Sequence, residues 1–155
     1  MVHSVVALDT NLAVLLAVGA TDPDHIARHK RLRIYDKAAF HLLDALLGAA
    51  DSLVWCPHVL AETSNLARYI NDPIRTEVSR TLALLIEKHR ECEVTSADAA
   101  SHPAYVRLGL TDSVLLKLAE TGATLVTDDL DLHLAAIRSG HASINFNELR
   151  DQALQ

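Results

Sequence analysis

Aromatic side chains make up only 4% of this 155-residue chain. A core must therefore be assembled from Leu, Ala, Val and Ile, as in many α/β folds. Half of the residues are hydrophobic, which excludes a disordered chain. Cysteine is nearly absent. Cys56 and Cys92 make no disulfide framework, and their spacing fits neither zinc nor redox motifs, so they read as buried free thiols in a reducing cytosol. Positive charge is in deficit: 14 Lys and Arg against 20 Asp and Glu leave a net charge of −6. A protein that coats duplex nucleic acid is usually basic, so broad electrostatic binding is not expected, although a local basic groove or bound cations are compatible with global acidity. Long apolar runs are missing too. Leu12 to Ala20 falls short of the roughly 20 residues that a membrane span needs. The N-terminus has no basic segment and Asp9 interrupts its apolar stretch, which argues against a signal peptide. A soluble cytoplasmic protein that engages no membrane is expected.

No Pro-, Gly- or Ser-rich linker, repeat or low-complexity tract divides the chain, so a single domain over 1–155 is expected. Strand-like runs alternate with helical ones. "SVVAL" reads as a first strand, followed by a helix from about Asn11 to Val18 that stops at Gly19. "DKAAFHLLDALLGAA" is helical, "SLVWC" is a second strand, and Pro57 opens a helix to about Ile70. Asp72-Pro73 starts a long amphipathic helix and "CEVT" reads as a third strand. Thr111 is placed to cap "DSVLLKLAETG", Asp131 to cap "LHLAAIRSG", with "ATLVT" and "ASINF" as the last strands. This alternation predicts an α/β fold in three layers, helices on both sides of a mainly parallel sheet.

Acids recur at strand ends. Asp9 ends the first strand, Glu62 lies early in the helix after the second, Asp112 opens a helix, and Asp128, Asp129 and Asp131 follow "ATLVT". Sites in open α/β sheets form outside the carboxyl ends of the strands, where these acids would converge. Taken singly, each has an ordinary reading as a helix cap, a first-turn acid or a solvated side chain. Together they would repel one another, raising their pKa values and costing stability. A hard divalent cation such as Mg²⁺ or Mn²⁺ resolves that repulsion and can activate water against a phosphoryl group.

The segments "VALDTN", "HVLAETSN", "GLTDSVLLKLAETGATLVTDDLDL" and "INF" resemble, in that order, the PIN-domain nucleases, including the VapC-like toxin ribonucleases. The resemblance spans nearly the whole chain. It implies a three-layer PIN-like fold and a Mg²⁺- or Mn²⁺-dependent endoribonuclease that hydrolyses RNA phosphodiester bonds by metal-activated water. The family's four catalytic, metal-binding acids fall on Asp9, Glu62, Asp112 and Asp129, the last through the pattern Thr127-Asp128-Asp129. Asn11 and Thr127 would support the site, with Asp131 accessory, Asp128 in a variable position and Asn65 a weaker candidate. A homodimer and a small antitoxin partner are further implications; the long amphipathic helices from Pro57 to Arg90 offer one interface, though core packing also explains them.

One stretch departs from compact toxin members. Residues 21–37 look longer and more basic, and "RHKRLR" holds four permanent cations in six residues. Arg28, Lys30, Arg31 and Arg33 would clamp RNA phosphates, or simply coat a solvated helix. His25 and His29, at helical spacing, read as surface histidines for want of further zinc ligands. Two rivals remain: a non-catalytic PIN-like binding module, and an aspartyl-phosphate signalling or hydrolase domain. The second would want an acid pair after the first strand, or Asp-x-Asp where this chain has Asp9-Thr10-Asn11. No P-loop, dinucleotide motif or nucleophile elbow is present, and Ser4, Ser64 and Ser113 form no triad pattern with a histidine.

Overall fold

The computed structural model describes residues 5–155. Ser4, expected both in the first strand and as a weak nucleophile, lies outside them. Five parallel strands form one sheet in the order β3-β2-β1-β4-β5: β1 Val5–Leu8, β2 Ser52–Trp55, β3 Arg90–Glu91, β4 Thr124–Thr127 and β5 Ser143–Asn145. β1 and β4 are apolar and buried almost throughout, as central parallel strands covered on both faces must be. The expected α/β class therefore holds.

Helices α1 Thr10–Thr21, α2 Lys37–Ala49, α3 Pro57–Ala67 and α4 Ile74–Lys88 pack among themselves. A second group comprises α5 Ser96–Ala100, α6 Tyr105–Leu108, α7 Leu110–Glu120 and α8 Leu130–Arg138. Because crossovers between parallel strands are right-handed, this strand order puts the two groups on opposite faces of the sheet. From β1 the chain winds one way along the sheet; from β4 it winds the other. The point of reversal lies between β1 and β4, the place where such sheets open a crevice at their carboxyl edge. Among the described residues, no helix is long and apolar enough to cross a membrane.

Several local expectations shift. α1 does not stop at Gly19 but continues to Thr21. Gly19 serves close packing instead: a Cβ there would sit 2.1 Å from Cδ1 of Phe40 on α2. Every α1 residue from Leu12 to Gly19 is buried, the pattern of a helix covered on all sides. The third strand is Arg90–Glu91 rather than "CEVT", because the chain pairs with Val54 and Trp55 as soon as α4 ends, and only the Cys92 N–H extends the ladder, to Trp55 O at 2.7 Å. Thr111 is not a cap; α7 begins one residue earlier, after Gly109 in a left-handed conformation with φ 90°. Asp129, not Asp131, caps α8. "ASINF" yields a strand of three residues, after which Asn145 accepts from the N–H groups of Asn147 and Glu148 and starts α9 Phe146–Ala153, which the strand pattern did not anticipate.

Residues 21–37 differ most from expectation. They form neither a solvated α-helix nor a loose insert. A 3₁₀ helix, Pro23–Arg28, continues as successive three-residue turns: His29 N–H to Ile26 O, Leu32 N–H to His29 O and Tyr35 N–H to Leu32 O. Ile26, His29, Leu32 and Tyr35 are thus stacked inward, one per turn, while the intervening cations stay outside. His29 is a core residue rather than a surface one. Its Nδ1 accepts from the Arg31 N–H, leaving Nε2–H to donate to Ala67 O at 3.0 Å, and burial lowers its pKa. Both cysteines are free; burial pushes the Cys56 thiol up to about 11 and leaves it unreactive.

Two glycines on adjacent helices give opposite expectations. Gly19→Ala forces the Phe40 ring out of its place and should cost about 1–3 kcal/mol. Gly48→Ala, on α2 with nothing within 4 Å of its added Cβ, should be neutral or stabilise by up to about 0.5–1 kcal/mol. Urea unfolding of both variants measures the contrast, and equal effects would refute this packing of α1 on α2.

Candidate functional site

The carboxyl ends of β1 and β4 are joined by side chains. Asp9 follows β1 directly and is 6% exposed. Its N–H donates to Val126 O at 3.1 Å, extending the sheet by one bond. Oδ1 caps α1 by accepting the Leu12 N–H at 3.1 Å. Oδ2 accepts the Thr127 hydroxyl and the Asp128 N–H, the latter at 3.2 Å. Burial, with the Asp128 charge second, holds the Asp9 carboxyl well above the usual carboxylate range despite these donors.

A second cluster bridges the helical layers. Thr111, in the first turn of α7, donates its hydroxyl to Glu62 Oε2 on α3 at 2.8 Å. One residue on, Asp112 is raised to about 6, first by burial, then by the charges of Asp129 and Glu62. The exposed Asp129 receives the Asp131 and Leu132 N–H groups at 2.9 and 3.3 Å, and its own N–H donates to Thr127 Oγ1 at 2.9 Å. Thr127 therefore touches both clusters. Asp9, Glu62, Asp112, Asp129 and Thr127 all come to the carboxyl edge at the point of reversal. Asp131 sits exposed in the first turn of α8, contributing its N–H to Asp129.

Sequence reasoning missed what surrounds Asp128, which half-buries in the site. The Tyr35 hydroxyl donates to its carboxylate, Asn11 Nδ2 reaches the same oxygen at 3.5 Å, and Asn147 Nδ2 donates to its carbonyl at 3.1 Å. Asn11 thus supports Asp128 rather than Asp9. Burial and the Asp128 bond push the Tyr35 phenol far above its ordinary pKa, so it remains a proton donor. Its ring meets Phe146 edge-on at 6.2 Å, and the Arg150 guanidinium lies 5.0 Å over it. The available signal was the beat of three in Ile26, His29, Leu32 and Tyr35, which marks Tyr35 as the inward end of a charged stretch.

The predicted RNA contacts lie on the stretch that ends in Tyr35. Arg28, Lys30, Arg31 and Arg33 are all exposed, and Arg31 stacks 5.7 Å over Tyr69 beyond the end of α3. Lys30 and Asn65 line an open cleft of about 440 Å³ with Arg68 and Arg75. Neither His25 nor His29 enters a zinc set: among the described residues no group of three or more His, Cys, Asp or Glu stands close enough to hold a metal ion. That holds for the acids too, and both Asp9 oxygens already accept from Leu12, Thr127 and Asp128. The chemistry of the donor set nevertheless fits a hard divalent cation. It consists of carboxylates alone, the charges of Asp129 and Glu62 help raise Asp112, and among the described residues neither Asp112 nor Asp129 has an ion-pair partner. Comparison with protein-family models and with curated proteins finds no match to this chain.

Asp112 gives a signed pH test. Its folded pKa of about 6 exceeds the ordinary 3.8, so the folded protein holds this proton more tightly than the unfolded chain. The resulting stabilisation is complete below the ordinary value and is lost as pH rises through the folded one. Asp112→Asn should escape that loss, melting higher than the native chain at pH 7.5 by an amount on the order of 1 kcal/mol in stability. At pH 4 the advantage should vanish. Melting curves across this range in metal-free buffer test it; identical pH profiles would show that neither burial nor the neighbouring charges raise Asp112.

Proposed function

We propose that this protein is a Mg²⁺- or Mn²⁺-dependent endoribonuclease of the PIN-like type, with its site at the joined carboxyl ends of β1 and β4. The supporting observation is the convergence of Asp9, Glu62, Asp112 and Asp129, from four separate segments, on the crevice position of a doubly wound sheet. Asp9 and Asp112 would hold the principal cation, with Glu62 and Asp129 completing its surroundings. Bound there, the cation would supply Lewis acidity toward water and the phosphoryl oxygens. The rest is positioning by this chain. Thr127 holds Asp9, Thr111 aims Glu62, and Tyr35 and Asn11 hold Asp128 away from free rotation. The toxin role, a homodimer and a small antitoxin belong to this same reading and rest on the resemblance alone.

Asp9 is a poor choice for the decisive variant, because it also caps α1 and ties the two strands. Asp112→Asn is cleaner: Asp112 sits in the first turn of α7 without capping it. Incubated with total RNA and Mn²⁺, the native chain should leave mapped ends with 5′-phosphates, and Asp112→Asn should cut at least about 100-fold more slowly. Equal cleavage by both would sink the assignment. A binding-module reading is favoured by one fact, the full engagement of both Asp9 oxygens. Melting with millimolar Mn²⁺ separates the two: preferential binding to the folded state must raise the melting temperature. No rise, together with no cleavage, would favour the module.

A further inference from the structure

The acids and the cations of the C-terminal region occupy opposite ends of the same helices. Asp112 opens α7 and Asp129 caps α8, whereas Lys117 and Arg138 stand in their last turns. Arg107, near the end of α6 and shortly before α7 begins, also reaches the cleft that these two bases line. The three cations line one open cleft of about 490 Å³, together with His102 and His141. Among the described residues the only acid lining it is Glu120, which pairs with Lys117 at 3.3 Å. Among the described residues Arg107 and Arg138 have no side-chain partner, though the chain as a whole carries an excess of acids. Helix dipoles favour a base in each last turn. They account for each base singly; it is the fold that gathers Arg107, Lys117 and Arg138 from three helices around one cleft, where a bound anion would meet all three.

We propose that this cleft binds a small anion carrying two or more phosphate groups. Two arginine forks match phosphate oxygens in pairs and Lys117 adds a point charge. His102 accepts the Ala104 N–H on Nδ1 at 3.0 Å, which fixes its neutral ring as an Nε2–H donor. Ala104 and Ala135 form apolar walls, and the volume suits a small molecule rather than a polymer track. The cleft is distinct from the acidic site and needs neither metal nor RNA.

The test uses the full chain in metal-depleted buffer, so that its outcome is independent of the nuclease reading. Pyrophosphate at about 1 mM should raise the melting temperature and titrate saturably by calorimetry. Inorganic phosphate should bind more weakly, and citrate at matched ionic strength should not reproduce the shift. The double variant Arg107→Gln/Arg138→Gln removes two exposed, unpartnered side chains and should weaken pyrophosphate binding at least about tenfold. Arg80→Gln/Arg90→Gln, two exposed residues outside the cleft with the same change in net charge, should leave it unaltered. The proposal is overturned if native protein shows no saturable binding, if citrate binds as tightly as pyrophosphate, or if both double variants lose affinity equally.

Discussion

The hydroxyl of Thr127 donating to the buried carboxylate of Asp9 is the interaction on which the acidic edge depends. It joins the ends of two strands that are neighbours in the sheet but distant in the chain. A buried carboxylate is costly without donors. Asp9 has three, from Leu12, Thr127 and Asp128, each supplied by a different part of the junction. Its residual repulsion with Asp128 is a consequence of that crowding. The apolar strands β1 and β4 make the arrangement possible by leaving neither end free to move.

Helix polarity explains how an edge can carry so many acids. Asp9, Asp112 and Asp129 all stand at helix N-termini, where unpaired N–H groups and the dipole favour negative charge. The opposite ends of α7 and α8 favour bases, and the cationic cleft lies there. One pair of helices therefore separates charge along its length. Neither cluster requires a net excess of either sign in the chain.

Composition concealed the role of residues 21–37. The cations are conspicuous, yet they face solvent, and among the described residues none pairs with an acid of the edge. The four inward residues pack the stretch onto the core, and the last of them, Tyr35, reaches the site through its hydroxyl. Charge density identified the stretch; periodicity of three, rather than 3.6 or 2, defines what it does. The same mismatch of expected and actual period explains why His29 is a core residue.

The order of strands and helices, the burial of β1 and β4, and the placement of acids just beyond strand ends were legible in the sequence, because each follows from local periodicity over a few residues. Helix starts were less so: Thr111 resembles a cap, but its hydroxyl is taken by Glu62, 49 residues away. Likewise nothing near Asp128 marks it as the partner of Tyr35, at a separation of 93 residues, or Thr127 as the partner of Asp9, at 118. The sequence by itself determined which residues can be strand, helix or edge acid. Only the tertiary structure decided which carboxylates share a field and which hydroxyls hold them. The reason is physical: those contacts depend on strand order across the sheet, which short-range pattern does not encode.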